Sequence, residues 1–193
     1  MAKEIAGLVV NDTFTVSELP PGRKAISGRW VFDWKLSEHG EVTRAKCRLV
    51  ARGFLQEKSI DYCDCYSPTP RAASIRLLAG FAVKTDQLLS HLDIAQAFIQ
   101  ANLSEEIYMK LPPGCGELSG KIMRLNKTLY GLKQSALEFN KLLSGKLGGL
   151  GFEQSASDPC VFRLLGSRKE DVQTLLVCHV DDIMVCGSDA KVK

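Results

Sequence analysis

Three aspartates stand where carboxylates could hold divalent cations. Asp93 ends a short apolar run, and the adjacent pair Asp181 and Asp182 separates two longer ones, residues 174–180 and 183–186. Apolar sequence on both sides of the pair predicts a core hairpin whose turn is made of the two acids. Neighbouring carboxylates repel, and removal from water raises the cost of both charges. A bound cation offsets both terms, and Mg²⁺ favours carboxylate oxygens together with retained waters and substrate phosphates. The plain alternatives are a solvated Asp-rich turn for the pair and a helix cap for Asp93. Spacing does not decide between these, because Asp181 lies 88 residues after Asp93. If a fold set the two strand ends side by side, the acids could support two-cation chemistry on a phosphate.

The elements that must do this positioning are legible in outline. Residues 29–36 are aromatic and β-branched, and predict a strand. A turn at 38–41 and a second strand over 42–54 complete a hairpin. Its second strand alternates Lys46 and Arg48 with Ala45, Cys47 and Leu49, which puts positive side chains on one face. Residues 72–84 have helical spacing, 88–93 form a short strand, and 95–101 predict a short helix. Strands are expected at 107–109 and 121–125, with Glu105 and Glu106 in a surface turn. In 134–147, Ala136, Phe139, Leu143 and Leu147 share one helical face, and Gly148-Gly149 stop the helix. Strands at 160–165 and through the 173–187 hairpin follow. This order predicts an α+β fold on a split βαβ, ferredoxin-like plan, an antiparallel sheet with helices on one face. Residues 1–27 mix polar and apolar positions around a turn at Leu19-Pro20-Pro21-Gly22.

Composition narrows the classes. A chain of 193 residues with 45% apolar and 24% charged residues is an ordinary globular balance, enough for one domain or two joined subdomains. Its apolar runs fall far short of the roughly 20 residues that span a bilayer. No secretory signal is visible at the N-terminus. Net charge is only +3, but residues 21–60 carry nine basic against four acidic side chains, leaving the remainder at −2. A basic lobe suits an anionic ligand, although a solvated Lys/Arg-rich hairpin would look the same. Seven cysteines without a CxxC pair predict reduced thiols and an intracellular setting. A zinc site lacks ligands near Cys63 and Cys65, since the three histidines are His39, His91 and His179.

Beyond these patterns, nearly the whole chain resembles the copia-type (Pseudoviridae) retrotransposon reverse transcriptase domain. The resemblance is carried by Trp30-Val31-Phe32, Lys46-Cys47-Arg48-Leu49-Val50-Ala51-Arg52-Gly53-Phe54, Leu92-Asp93-Ile94-Ala95-Gln96-Ala97-Phe98, Leu129-Tyr130-Gly131-Leu132-Lys133-Gln134, Ser157-Asp158-Pro159-Cys160 and Val180-Asp181-Asp182. It implies an RNA-directed DNA polymerase with a fingers-like subdomain at 1–86, bearing the basic hairpin at about 29–54, and a palm-like subdomain at 87–193. Asp93, Asp181 and Asp182 would be the catalytic acids. With the backbone carbonyl of Ile94 they would ligate Mg²⁺, or Mn²⁺ in its place. Phe98 would stack under the incoming sugar and exclude a 2′-hydroxyl. Gln134 would lie near the nucleotide's 3′ side, and Lys46 and Arg48 would contact its triphosphate. Partners would be an RNA or DNA primer–template, deoxynucleoside triphosphates and other domains of a retroelement polyprotein, with no membrane. The setting would be the cytoplasm, a virus-like particle or the nucleus.

Without the resemblance, Phe98 reads equally as core, Gln134 as a polar residue at a helix start, and Lys46 and Arg48 as solvated strand residues. Trp30 and Trp34 are expected in the core rather than as base-stacking platforms. The chain departs from the pattern at His179, where Tyr is usual, and at Leu137 and Phe139, where Arg and Trp are usual. It ends at Lys193, 11 residues past Asp182, where the palm would continue into a thumb. A decayed copy that binds nucleic acid or protein without catalysis is therefore the alternative function. A phosphatase or nuclease is disfavoured because no His or Lys suited to activating water is expected to flank the acids.

Overall fold

The structure is a computed structural model, and it describes residues 1–166 and 172–187. The chain forms two compact units, each discontinuous in sequence: residues 1–65 with 98–138, and residues 66–97 with 139–193.

In the first unit, helix α1 (Ala2–Val10) and strand β1 (Phe14–Val16) precede the long hairpin of β2 (Ala25–Leu36) and β3 (Val42–Ala51). Strands β5 (Asn102–Lys110) and β6 (Ile122–Lys127) complete a five-stranded sheet in the order β1-β6-β5-β2-β3. The pairing is antiparallel except between β2 and β5, which run parallel. Leu8 of α1, Ile26, Leu49, Met109, Met123 and Leu125 form its core. Neither α1 nor β1 is signalled by sequence, since one has two mixed turns and the other three residues. Glu105 and Glu106, expected in a turn, lie inside β5, where the Tyr108 hydroxyl donates to Glu106 Oε1 at 2.6 Å.

The hairpin is two-faced beyond its base. Along β3, Arg44, Lys46 and Arg48 alternate with Ala45, Cys47 and Leu49. Opposite them, Phe32 pairs with Cys47 and Trp34 with Ala45. Trp34 is 64% exposed, which corrects the expectation that it is a core residue. It lies past the point where the sheet has a core to cover. Trp30, nearer the base, is partly buried and donates from Nε1 to the Pro113 carbonyl at 2.9 Å.

In the second unit, β4 (Leu88–Asp93), β7 (Glu153–Gln154), β8 (Val161–Leu165), β9 (Val172–His179) and β10 (Asp182–Gly187) form an antiparallel sheet in the order β4-β10-β9-β8-β7. Helix α2 (Ala72–Thr85) packs Leu78 and Ala82 against Leu175, Val177 and Cys186. The alternate side chains Leu176, Cys178, Ile183 and Val185 are buried too, so both faces of the central hairpin are covered. Helix α3 (Ser135–Gly149) begins in the first unit and runs into the second, and it ends at the expected glycine pair. Phe139, Leu143 and Leu147 are its buried face.

Residues 95–101 do not form the expected helix. Gln96 takes φ +54, a left-handed conformation that interrupts any right-handed turn, and only a 3₁₀ turn at Phe98–Gln100 follows.

Asp158 anchors α2. Its carboxylate accepts from the Arg71 amide at 3.0 Å, the Ser74 hydroxyl at 2.5 Å and the Cys160 amide at 3.0 Å. Burial alone would raise its pKa, but the hydrogen bonds from Ser74, Arg71 and Cys160 and the Arg71 charge outweigh it and hold the carboxyl below its ordinary value. Asp158→Ala is expected to cost about 2–3 kcal/mol in urea unfolding at neutral pH, because it leaves the Arg71 and Cys160 amides and the Ser74 hydroxyl without their acceptor. The stabilisation is present above about pH 4, the unfolded value, and fades as pH falls through the lower folded value. The gap between parent and variant should close accordingly, and a variant as stable as the parent at pH 7 would rule out this anchor.

Candidate active site

The two acid-bearing elements are neighbours in the second unit. Strand β10 pairs directly with β4, and in that register Asp182 faces Asp93. Opposed residues on antiparallel strands point to the same face, with Cβ atoms roughly 4.5–5.5 Å apart. The pairing fixes this juxtaposition through backbone hydrogen bonds, independent of side-chain packing.

The turn differs from expectation. Asp182 opposes His179 as the first residue of β10, so the two turn residues are Val180 and Asp181 rather than the two acids. Val180 has φ +59, the pattern of a II′ turn at a position where glycine is usual. A β-branched side chain is strained there, and such strain gathers at functional turns. The Asp181 carbonyl accepts from the Ile94 amide at 3.0 Å, which ties the turn to the end of β4.

Solvation also differs from expectation. The β9–β10 hairpin is buried, but β4 is largely exposed, the acids lie at an open rim, and the Asp182 side chain is 52% exposed. Desolvation therefore contributes little. Among the described residues, no three His, Cys, Asp or Glu side chains are grouped as a metal-ion site. The opposed pair still supplies hard oxygen donors in the open. That donor set suits a cation such as Mg²⁺, which keeps several waters and shares its sphere with substrate phosphates.

Two histidines flank the pair, which corrects the expectation that none would. His91 is two residues before Asp93, hence on the same face, and its Nε2 lies 3.3 Å from Asp182 Oδ1. His179 opposes Asp182 from β9. The period of two would have indicated His91 once β4 was recognised. Beside them, burial and the neighbouring Cys160 push the Cys178 thiol up to about 12, and burial with the Asp158 charge takes Cys160 to about 11. All seven cysteines are unpaired.

The remaining expected site residues belong to the first unit. The Arg48 guanidinium sits over the Tyr130 ring, 5.2 Å from its centroid. Phe98 meets the same ring edge-on at 4.8 Å. Tyr130 thus joins two residues that the sequence could connect only by resemblance. Lys46 lies two residues from Arg48 on the same strand face, half-buried and opposite Asp33. Gln134 is fully buried.

One acid at the end of β4 thus faces another at the start of β10, beside a strained turn. Residues 11–193 match the family described as reverse transcriptase (RNA-dependent DNA polymerase), and the chain belongs to that family. Over 192 residues it is 35% identical to the retrovirus-related Pol polyprotein from transposon TNT 1-94 of Nicotiana tabacum. It is 36% identical to the Pol polyproteins from transposons RE1 and RE2 of Arabidopsis thaliana. Each alignment covers 98% of this chain but only 13–14% of the relative. No helix among the described residues is long and apolar enough to cross a membrane.

Proposed function

We propose that the chain is the polymerase portion of a retrotransposon polyprotein and extends a primer 3′-hydroxyl with deoxynucleotides on an RNA template. The observation that carries this reading is the Asp93–Asp182 register across β4 and β10. The acid-bearing unit serves as palm and the basic hairpin as fingers. Asp93, Asp181 and Asp182, with the Ile94 carbonyl, would hold Mg²⁺. When bound, Mg²⁺ lowers the pKa of the attacking hydroxyl and neutralises charge on the leaving pyrophosphate.

The chain's own residues orient the substrates. Arg48 and Lys46 take the triphosphate, where fixed cations stabilise developing negative charge. Phe98, held by Tyr130, presents a ring to the deoxyribose. Other domains of the polyprotein are the expected protein partners, within the intracellular setting that seven free thiols suit.

The test is primer extension on an RNA template with Mg²⁺, using the chain and its Asp93→Asn variant. Extension by the parent and its loss in the variant are expected. Equal behaviour of the two proteins would remove the catalytic reading and leave a binding role.

A further inference from the structure

We infer that Gln56 and Gln134 form a buried amide brace, and that Gln56 acts through it as a positioning residue for Arg48. The triphosphate role of Arg48 rests on the polymerase reading, whereas the brace itself does not.

Gln134 is 0% exposed and Gln56 5% exposed. Gln134 Oε1 accepts from Gln56 Nε2 at 3.0 Å. Gln134 Nε2 donates to the Asp61 carbonyl at 2.8 Å and to Glu105 Oε2 at 3.3 Å. Gln56 Oε1 accepts from the Lys133 amide at 2.8 Å. A primary amide has two N–H donors and one carbonyl, so Gln134 has both donors and its oxygen engaged. Opening such a network leaves buried polar groups unpaired, at a cost well above the worth of any single bond.

The brace sets one end of residues 130–134. The other end is set by β3, where the Ala51 amide donates to the Tyr130 carbonyl at 2.8 Å. Between these anchors the chain presents the Tyr130 ring to Arg48 and Phe98. The Gln56 side chain bonds to Gln134 and to the Lys133 amide, and its influence on Arg48 and Phe98 passes through them. A direct contact of Gln134 with the nucleotide is the competing role, and it would require this network to open.

The full chain should be compared with Gln56→Leu, Gln134→Leu and the double variant, with the milder Asn replacements in reserve if a leucine variant does not fold. Urea unfolding midpoints should fall in both single variants, and the double should be no worse than the worse single. Binding of a fluorescent deoxynucleoside triphosphate should weaken by about tenfold in Gln56→Leu as in Gln134→Leu. In primer extension the nucleotide KM should rise with kcat unchanged. Additive midpoints, or weaker nucleotide binding in Gln134→Leu alone, would overturn the inference. If the parent binds no nucleotide, the polymerase reading fails, and the midpoints still decide the brace.

Discussion

Exchanging Asp182 for asparagine is expected to lower primer extension by about 10³-fold while leaving the fold intact. The replacement keeps shape and strand pairing but removes one of two opposed carboxylates. Metal ions supply several kcal/mol of charge stabilisation in such reactions, and each 1.36 kcal/mol is a factor of ten. Stability should change little, because Asp182 is half-exposed and the replacement keeps its shape and strand pairing. Single-turnover extension under saturating nucleotide, with an unfolding curve for each protein, separates the two effects. Extension within tenfold of the parent would show that the opposed pair is not the metal-binding core.

Gly131→Ala is expected to destabilise the first unit by about 3 kcal/mol or more. Two costs combine. Gly131 has φ +91, which L residues rarely adopt. A Cβ there would also lie 2.2 Å from the Ala51 carbonyl oxygen, a backbone atom that cannot swing aside. A Cβ at Gly53 would likewise lie 2.0 Å from the Gly131 carbonyl oxygen. Gly22→Ala is the control, since Gly22 has φ +79 but nothing within 4 Å. That variant should lose only the conformational part, about 1 kcal/mol. Equal losses in the two variants, measured by urea unfolding, would mean that the close backbone approach is not limiting.

Sequence alone conveyed the long periodic elements and little of what joins them. The β2–β3 hairpin, α2, β4 and the β9–β10 hairpin follow from alternation, helical spacing and turn residues, all local properties. The facing of Asp93 and Asp182 is a long-range register, and no local pattern specifies which residues of two distant strands meet. Resemblance supplied that convergence, and the strand pairing gives it a physical basis. Three of the failed expectations show the reasons most clearly. The acid pair was read as the whole turn, but hairpin register moved the turn by one residue to Val180. Gln96 adopted a conformation that its type rarely takes. Trp34 was assigned to a core because it is aromatic, although its strand projects past the region where a core exists. The burial of Gln134 was equally hidden, since its partners come from Gln56, Asp61 and Glu105, far away in sequence.

The distribution of thiols has a practical consequence for labelling. Cys115, Cys160, Cys178 and Cys186 are buried, and their pKa values are all raised, which leaves almost no thiolate near neutral pH. Cys63 and Cys65 are exposed on one short loop of the first unit. A maleimide dye or spin label would therefore react first at that loop, ahead of the half-buried Cys47, and spare the sulfur next to the turn that carries the acids. The wild-type chain thus offers a natural attachment point for following the first unit without altering the carboxylates.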